Sequence, residues 1–274
     1  MNRRDLARVL GTGVVGAAAL TAAGQQAQAQ APAAAGGRSR LHQILERGTM
    51  RVGTTGDFNP MSFRDTSTNS YQGFDVEAMT QLAADSGVRV EWVQTEWAQI
   101  VAGIGANRFD IFSGASVTMP RARGAAFTLP YFEFSSVPVA AKTAAGRFGS
   151  WDAINADGVR VAVSMGTVFE DQAKAHFPKA RLVSVQAPAT GFQEVLAGRA
   201  DLTLTSNVEA SSLVRRFDAL TLLSSSVTPR NRRPAAFMMA QDDPIWLNYV
   251  NTWVTLKTRE GFFEALENKW LPKS

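Results

Sequence analysis

The sequence predicts an α/β protein of two lobes, each a mainly parallel sheet flanked by helices, with a ligand cleft between them. Three observations carry that expectation. From Ser39 onward, short β-rich runs alternate with amphipathic helical stretches, the pattern of βαβ units whose strands lie parallel. The strand run divides around residues 137–142 and again between Ser224 and Pro234, so the chain crosses twice between two halves. About 245 residues follow the N-terminal leader, enough for two small lobes. Two crossings make one lobe continuous, residues 143–226, and build the other from residues 39–142 plus 227–274. A cleft between such lobes is a common place for a small molecule.

Residues 1–29 read as an export signal. A twin arginine, Arg3-Arg4, precedes an apolar stretch from Val9 to Ala23 and the small-x-small pattern Ala27-Gln28-Ala29. A bilayer needs about 20 apolar residues, so the stretch fits a signal h-region and the paired arginines fit twin-arginine export. Gly11-Thr-Gly13-Val-Val-Gly16 matches a dinucleotide-binding fingerprint, but no strand precedes it and no acid follows at the required distance. Residues 30–38 read as a flexible leader.

The expected strands are residues 50–55, 88–94, 109–114, 137–142, 159–164, 180–185, 200–206 and 235–240, each a β-branched or aromatic run bounded by turn residues. Between the first two lies DVEAMTQLAADSG, a helix with Asp75 as its expected N-cap. The C-terminus is helical in two pieces broken at Gly261. Ile245, Trp246, Tyr249, Val250, Trp253 and Leu256 form the expected apolar face of the first piece.

Composition removes several classes of function. The net charge of +4 falls to +2 once residues 1–29 are cleaved, so the mature chain is only mildly basic. Arg215-Arg216 and the cluster Arg230, Arg232, Arg233 read as solvated faces, and no nucleic-acid motif accompanies them. The absence of cysteine excludes disulfides, thiol catalysis, cysteine metal sites and an N-terminal lipid anchor. No metal-ligand spacing, cofactor motif or Ser/His/Asp arrangement occurs. His42 and His176 sit in amphipathic helices with no carboxylate or hydroxyl in evident reach. The expectation is a soluble periplasmic protein, not membrane-spanning after signal cleavage.

The stretch SGASVTMPRARGAAFTLPY, Ser113 to Tyr131, places Arg121 in the first turn of a short helix. The helix dipole favours an acid there, so an arginine makes sense when an anion is expected from outside. Guanidinium matches a carboxylate in two parallel hydrogen bonds, and helix-start N–H groups aim at the same anion. Ser116 and Gly114 allow close backbone approach.

LHQILERGTMRVGTTGDFNPMSF, YQGFDVEAMTQLA, TEWAQIVAGIGANRFDIFSGASVTMPRARGAAFTLPYF, GTVFEDQAKAHFP, GFQEVLAGRADLTLTSN and EGFFEALENKWL together resemble the periplasmic solute-binding proteins for polar amino acids. Within that family TTGD, FDVEA and NRFDIFSGASVTMPRAR are most similar to the cyclohexadienyl dehydratases, enzymes on the same fold. The resemblance implies a type II periplasmic-binding-protein fold and a small carboxylate-bearing ligand, an amino acid or related organic acid. It also implies delivery to an inner-membrane ABC permease. By the same resemblance Arg121 grips the ligand carboxylate, Thr167 and Val168 complete the clamp, and Phe58 and Trp97 surround the rest of the ligand. Amino-acid binders carry an Asp for the ligand ammonium at the position of Ser206. Here Ser206 and Asn207 are left to read that end, and neither carries charge. Where dehydratases have Gly-Thr-Asn-Glu this chain has Gly166-Thr167-Val168-Phe169. Glu170, one position on, fits the capping box Thr167-x-x-Glu170 and is catalytic only in the dehydratase alternative. Binding is therefore expected ahead of catalysis.

Overall fold

The computed structural model describes residues 38–223 and 227–271. The expected signal peptide, and all of the leader but Arg38, lie outside the described residues.

The chain opens with α1 (Arg40–Arg47) and β1 (Thr49–Thr54), then an antiparallel ribbon of β2 (Asp57–Phe58), β3 (Ser62–Asp65) and β4 (Ser70–Gln72). Next come α2 (Phe74–Asp85), β5 (Arg89–Gln94), a 3-10 turn at Trp97–Gln99, α3 (Ile100–Gly105), β6 (Ile111–Ser116), α4 (Met119–Ala122) and β7 (Ala126–Phe127). β8 (Phe132–Ala141) leads into the second lobe, with α5 (Trp151–Ile154), β9 (Arg160–Ser164), α6 (Val168–His176), β10 (Arg181–Val185), α7 (Gly191–Leu196), β11 (Leu202–Ser206), α8 (Asn207–Arg216) and β12 (Leu220–Leu222). β13 (Arg230–Met239) returns to the first lobe, which ends with α9 (Pro244–Arg259) and α10 (Phe262–Trp270).

One curled sheet runs through both lobes in the order β10-β9-β11-β8-β13-β6-β1-β5. β1 pairs in parallel with β5 and β6, and β9 pairs in parallel with β10 and β11. β13 lies antiparallel to β6, and β8 antiparallel to β11, so each lobe repeats the same arrangement. The lobes join where β8 and β13 pair with each other, from Phe132↔Ala235 to Ser136↔Arg230. Both strands are longer than the expected 137–142 and 235–240, because FEFSS and RNRRP extend them backwards into this junction.

Helices cover both faces of each half, as parallel strands require. In the first lobe Ile44, Phe74, Met79, Leu82, Trp246, Val250 and Phe263 pack on one face, and Ile100, Ile104, Phe109 and Phe112 on the other. In the second lobe α5 and α6 supply Trp151, Ile154 and Ala173 to one core, while α7 and α8 supply Val195, Ala210 and Leu213 to another. The internal symmetry extends to charge. Asp110 precedes β6 and accepts from Arg51 N (2.8 Å) and its guanidinium; Asp201 precedes β11 and accepts from Arg160 N (2.8 Å) and its guanidinium. Each acid pins its strand to the neighbour that must lie parallel to it.

Two expectations are corrected. Asp75 does not cap α2: Gly73 holds that position, and Asp75 is buried, accepting a 2.6 Å bond from Tyr131 Oη. Burial pushes its carboxyl well above the ordinary range, with the tyrosine bond opposing. The buried stripe of α9 is Trp246, Val250, Trp253 and Val254, while Ile245 and Leu256 are each 52 % exposed. At about 100° per residue those two lie roughly 80–100° round from Trp246, beyond the stripe's edge.

Gly114 sits directly over the Asp75–Tyr131 pair. A methyl added there would meet Tyr131 Oη at 2.2 Å and Asp75 Oδ2 at 2.7 Å. Gly114→Ala should therefore cost about 1–3 kcal/mol of stability, read as a fall in the urea midpoint, and an unchanged midpoint would show that β6 yields freely.

Candidate functional site

The ends of β6, β9 and β11 converge on one interlobe cavity. It is lined by Asp57, Phe58, Trp97, Ser116 and Arg121 from the first lobe, and by Thr167, Val168, Phe169, Thr190, Thr205 and Glu209 from the second, among others. Arg121 is its strongest feature. Thr118 Oγ1 accepts from Arg121 N (3.4 Å) at the start of α4, with Pro120 in the first turn. The side chain then turns back: Nη1 donates to Ser116 O (3.2 Å), and Nη2 crosses the cleft to Gly166 O (3.3 Å). Its guanidinium carbon lies 5.9 Å from the Trp97 ring centre.

Arg121 is only 9 % exposed. Among the described residues no carboxylate forms an ion pair with it, and its two acceptors are neutral carbonyls. Burial pulls its pKa down to about 10; the Arg233 charge adds to that pull and the Asp171 charge opposes it. A buried unpaired cation is costly, and an incoming carboxylate removes that cost.

Phe58 packs edge-on against Trp97 (ring centres 5.9 Å apart) and against Phe134 (5.4 Å), which fixes an aromatic wall. Trp97 Nε1 donates to Asp57 Oδ1 at 2.9 Å. Thr167 and Val168 bring the N-terminus of α6 to the cavity, where its first N–H groups have no helical partner.

Six of the predicted site residues thus share this cavity: Phe58, Trp97, Ser116, Arg121, Thr167 and Val168. Three stand elsewhere. Gly114 faces Tyr131 and Asp75 and does not line the cavity. Ser206 is fully buried, and its Oγ caps α8 by accepting from Glu209 N (3.1 Å). Asn207 Oδ1 accepts from Ser135 N (2.9 Å), tying α8 to β8. Neither Ser206 nor Asn207 lines the cavity.

Glu170 and Glu209 stand in the same S/T-x-x-E frame at the starts of α6 and α8, with different outcomes. Glu170 accepts from Gly166 N (2.8 Å), Lys174 Nζ (2.9 Å) and Ser184 Oγ (3.0 Å). Burial alone would raise its pKa, but these donors outweigh it and hold the carboxyl ionised below its ordinary range. Glu209 does not reach back to its cap. It contacts the Thr205 hydroxyl and lines the cavity, with no cationic partner among the described residues. Burial pushes its carboxyl up to about 8, with Thr205 opposing and the Asp57 charge adding to the rise. Asp57, facing it from the other lobe, is also raised by burial, against the bond from Trp97. The sequence reading missed Glu209. Its only signal, an acid three residues after Ser206, is also the signature of a structural cap.

The cavity is therefore bipolar, with a guanidinium that has no ion-pair partner among the described residues in one part and two carboxyls whose pKa values burial raises in another. Among the described residues no cluster of acids and histidines fits a metal ion, and no helix is long and apolar enough to cross a membrane.

Residues 50–273 match the family model of bacterial extracellular solute-binding proteins, family 3, and the chain belongs to that family. It is 32 % identical to a cyclohexadienyl dehydratase of Pseudomonas aeruginosa over 85 % of this chain and 86 % of that one. It is 25 % identical to the L-cystine-binding protein TcyJ of Escherichia coli over 84 % and 85 % of the two chains. The crystal structure of AncCDT-1, an ancestral amino acid-binding protein and precursor of cyclohexadienyl dehydratase, superposes with a TM-score of 0.78. It shares 34 % identity and covers 85 % of this chain and 99 % of that one.

Glu209 supplies a pH test with a definite sign. The folded protein holds this proton more tightly than the unfolded chain, so the stabilisation is complete below the ordinary 4.5 and is lost as pH rises through about 8. Urea unfolding from pH 5 to 9 should show a downward slope that Glu209→Gln flattens. Equal slopes in both proteins would mean that Glu209 is ionised throughout.

Proposed function

We propose that this chain is a periplasmic protein that closes two lobes, residues 39–142 plus 227–274 and residues 143–226, on a small carboxylate-bearing ligand, and that it delivers the ligand to an ABC-type importer. The observation that carries this reading is Arg121, buried at the cavity wall with no ion-pair partner among the described residues. Ser116 and Thr167 supply hydrogen bonds, Val168 an N–H at the start of α6, and Phe58 and Trp97 an aromatic surface. The amino acid-binding relatives support the receptor role. Closure follows from differential affinity, because a ligand touching both lobes favours the state in which both are in reach.

One observation favours a second reading, a carbon–oxygen lyase of the dehydratase type. Such a reaction needs a carboxyl that is still protonated near neutral pH to donate to a departing hydroxyl. Phe169 and the ionised Glu170 do not meet that need, whereas Glu209 does. With prephenate, Arg121 holds the side-chain carboxylate and Glu209 protonates the ring hydroxyl, which leaves as water. The ring carboxylate then leaves as carbon dioxide, its bonding electrons complete the aromatic ring, and phenylpyruvate remains.

Two measurements separate these roles. In a thermal-shift panel of amino, keto, hydroxy and aromatic acids, the bound class should raise the midpoint, and Arg121→Ala should abolish most of the shift. A full shift in that variant would refute the binding role of Arg121. Incubation with prephenate should yield no phenylpyruvate if the chain is a receptor. Turnover that Glu209→Gln lowers by at least about a hundredfold, within the range typical of acid catalysis, would instead establish the lyase.

A further inference from the structure

The inner cavity is small. Its volume is about 50 Å³, a small fraction of the space beyond it. On the solvent side a second cavity of about 1050 Å³ shares Asp57, Thr190, Phe192, Glu209 and Leu213 with the first. The shared residues form a throat, and beyond it the vestibule widens between the lobes.

Three arginines line the vestibule: Arg64 on β3, Arg108 after α3, and Arg216 at the end of α8. Each lacks an acidic partner among the described residues. Arg64 donates to Asn69 Oδ1 (2.6 Å) and Gln94 Oε1 (2.7 Å), both neutral, and lies over the Tyr71 ring. Arg216 lies over the Phe217 ring at 5.2 Å, and Arg108 is exposed. The acids in the vestibule are Asp57 and Glu209 at the throat, and Glu96, which accepts from Gln186 at 3.3 Å. Neutral hydrogen-bond partners orient a guanidinium and leave its charge uncompensated.

We propose that the vestibule is a second ligand subsite, taking an additional acid group at the far end of a ligand whose first carboxylate rests on Arg121. The ligand is then a diacid, its body passing the Asp57–Glu209 throat and its outer carboxylate or phosphate held by Arg64, Arg108 and Arg216. This inference rests on the carboxylate-binding reading of Arg121. A ligand long enough to pass the throat reaches both cavities, and the three arginines, facing the single outer acid Glu96, favour an anionic tail.

The test compares hydrocinnamate, with one carboxylate, against para-carboxyhydrocinnamate and para-phosphonohydrocinnamate, which add a carboxylate or a phosphonate at the far end. Calorimetry at low salt should show a diacid binding at least about tenfold tighter than the monoacid, equivalent to ~1.4 kcal/mol. The gap should narrow as salt screens the exposed arginines. The phosphonate and carboxylate arms distinguish the two kinds of tail. The combined change Arg64→Gln, Arg108→Gln and Arg216→Gln should erase the gap and leave hydrocinnamate affinity unchanged. The salt dependence of the unaltered protein gives the same reading without a variant. Equal affinities, or a gap that survives both salt and the triple change, would overturn the proposal; if Arg121→Ala still abolishes binding, the Arg121 reading stands. Binding that survives Arg121→Ala, or binding of no probe, defeats that reading and this inference together.

Discussion

The structure depends on a guanidinium kept out of water with no ion-pair partner among the described residues. Arg121 reaches the carbonyls of Ser116 and Gly166, one from each lobe, so the same charge that lines the cavity also bridges it. Two neutral acceptors orient the group but do not neutralise it. Burial lowers its pKa to about 10, still far above neutral pH, so the arginine remains charged. Its unfavourable position becomes favourable when an anion enters, and binding free energy is then concentrated at one point.

The surrounding fold makes that position possible. Parallel strands leave their C-terminal ends at the cleft, where helix starts and turn residues gather. The acids Asp110 and Asp201 sit at the opposite strand ends and are each held by arginines of a neighbouring strand. Gly166 allows the lobes to approach closely, since a methyl there would meet Ala98 N at 2.4 Å. Acid strength is likewise set by location. Glu170, surrounded by donors, is ionised and structural; Glu209, at the throat beside another carboxyl, retains its proton toward neutral pH.

Much of this was legible in the residues. The alternation of strands and helices was visible because buried parallel strands are nearly continuous apolar runs. Arg121 was visible because it stands where the helix dipole opposes it. The junction strands were only half visible, since FEFSS and RNRRP carry polar residues that face solvent or the other lobe. Asp75 read as a cap because its burial under Tyr131 depends on a chain segment more than fifty residues away. Ser206 and Glu209 illustrate the main limit. Spacing shows that a hydroxyl and an acid share a helix start, but not which one caps the backbone and which faces the ligand.

The most direct test of this account is the stability of ligand-free Arg121→Met. Methionine keeps much of the side-chain volume and removes the unpaired charge. If the guanidinium is held in reserve for an anion, the ligand-free variant should unfold at higher urea than the parent, as replaced buried charges often do. A variant that unfolds at lower urea would show that Arg121 already has its partners within the chain, and would contradict the account.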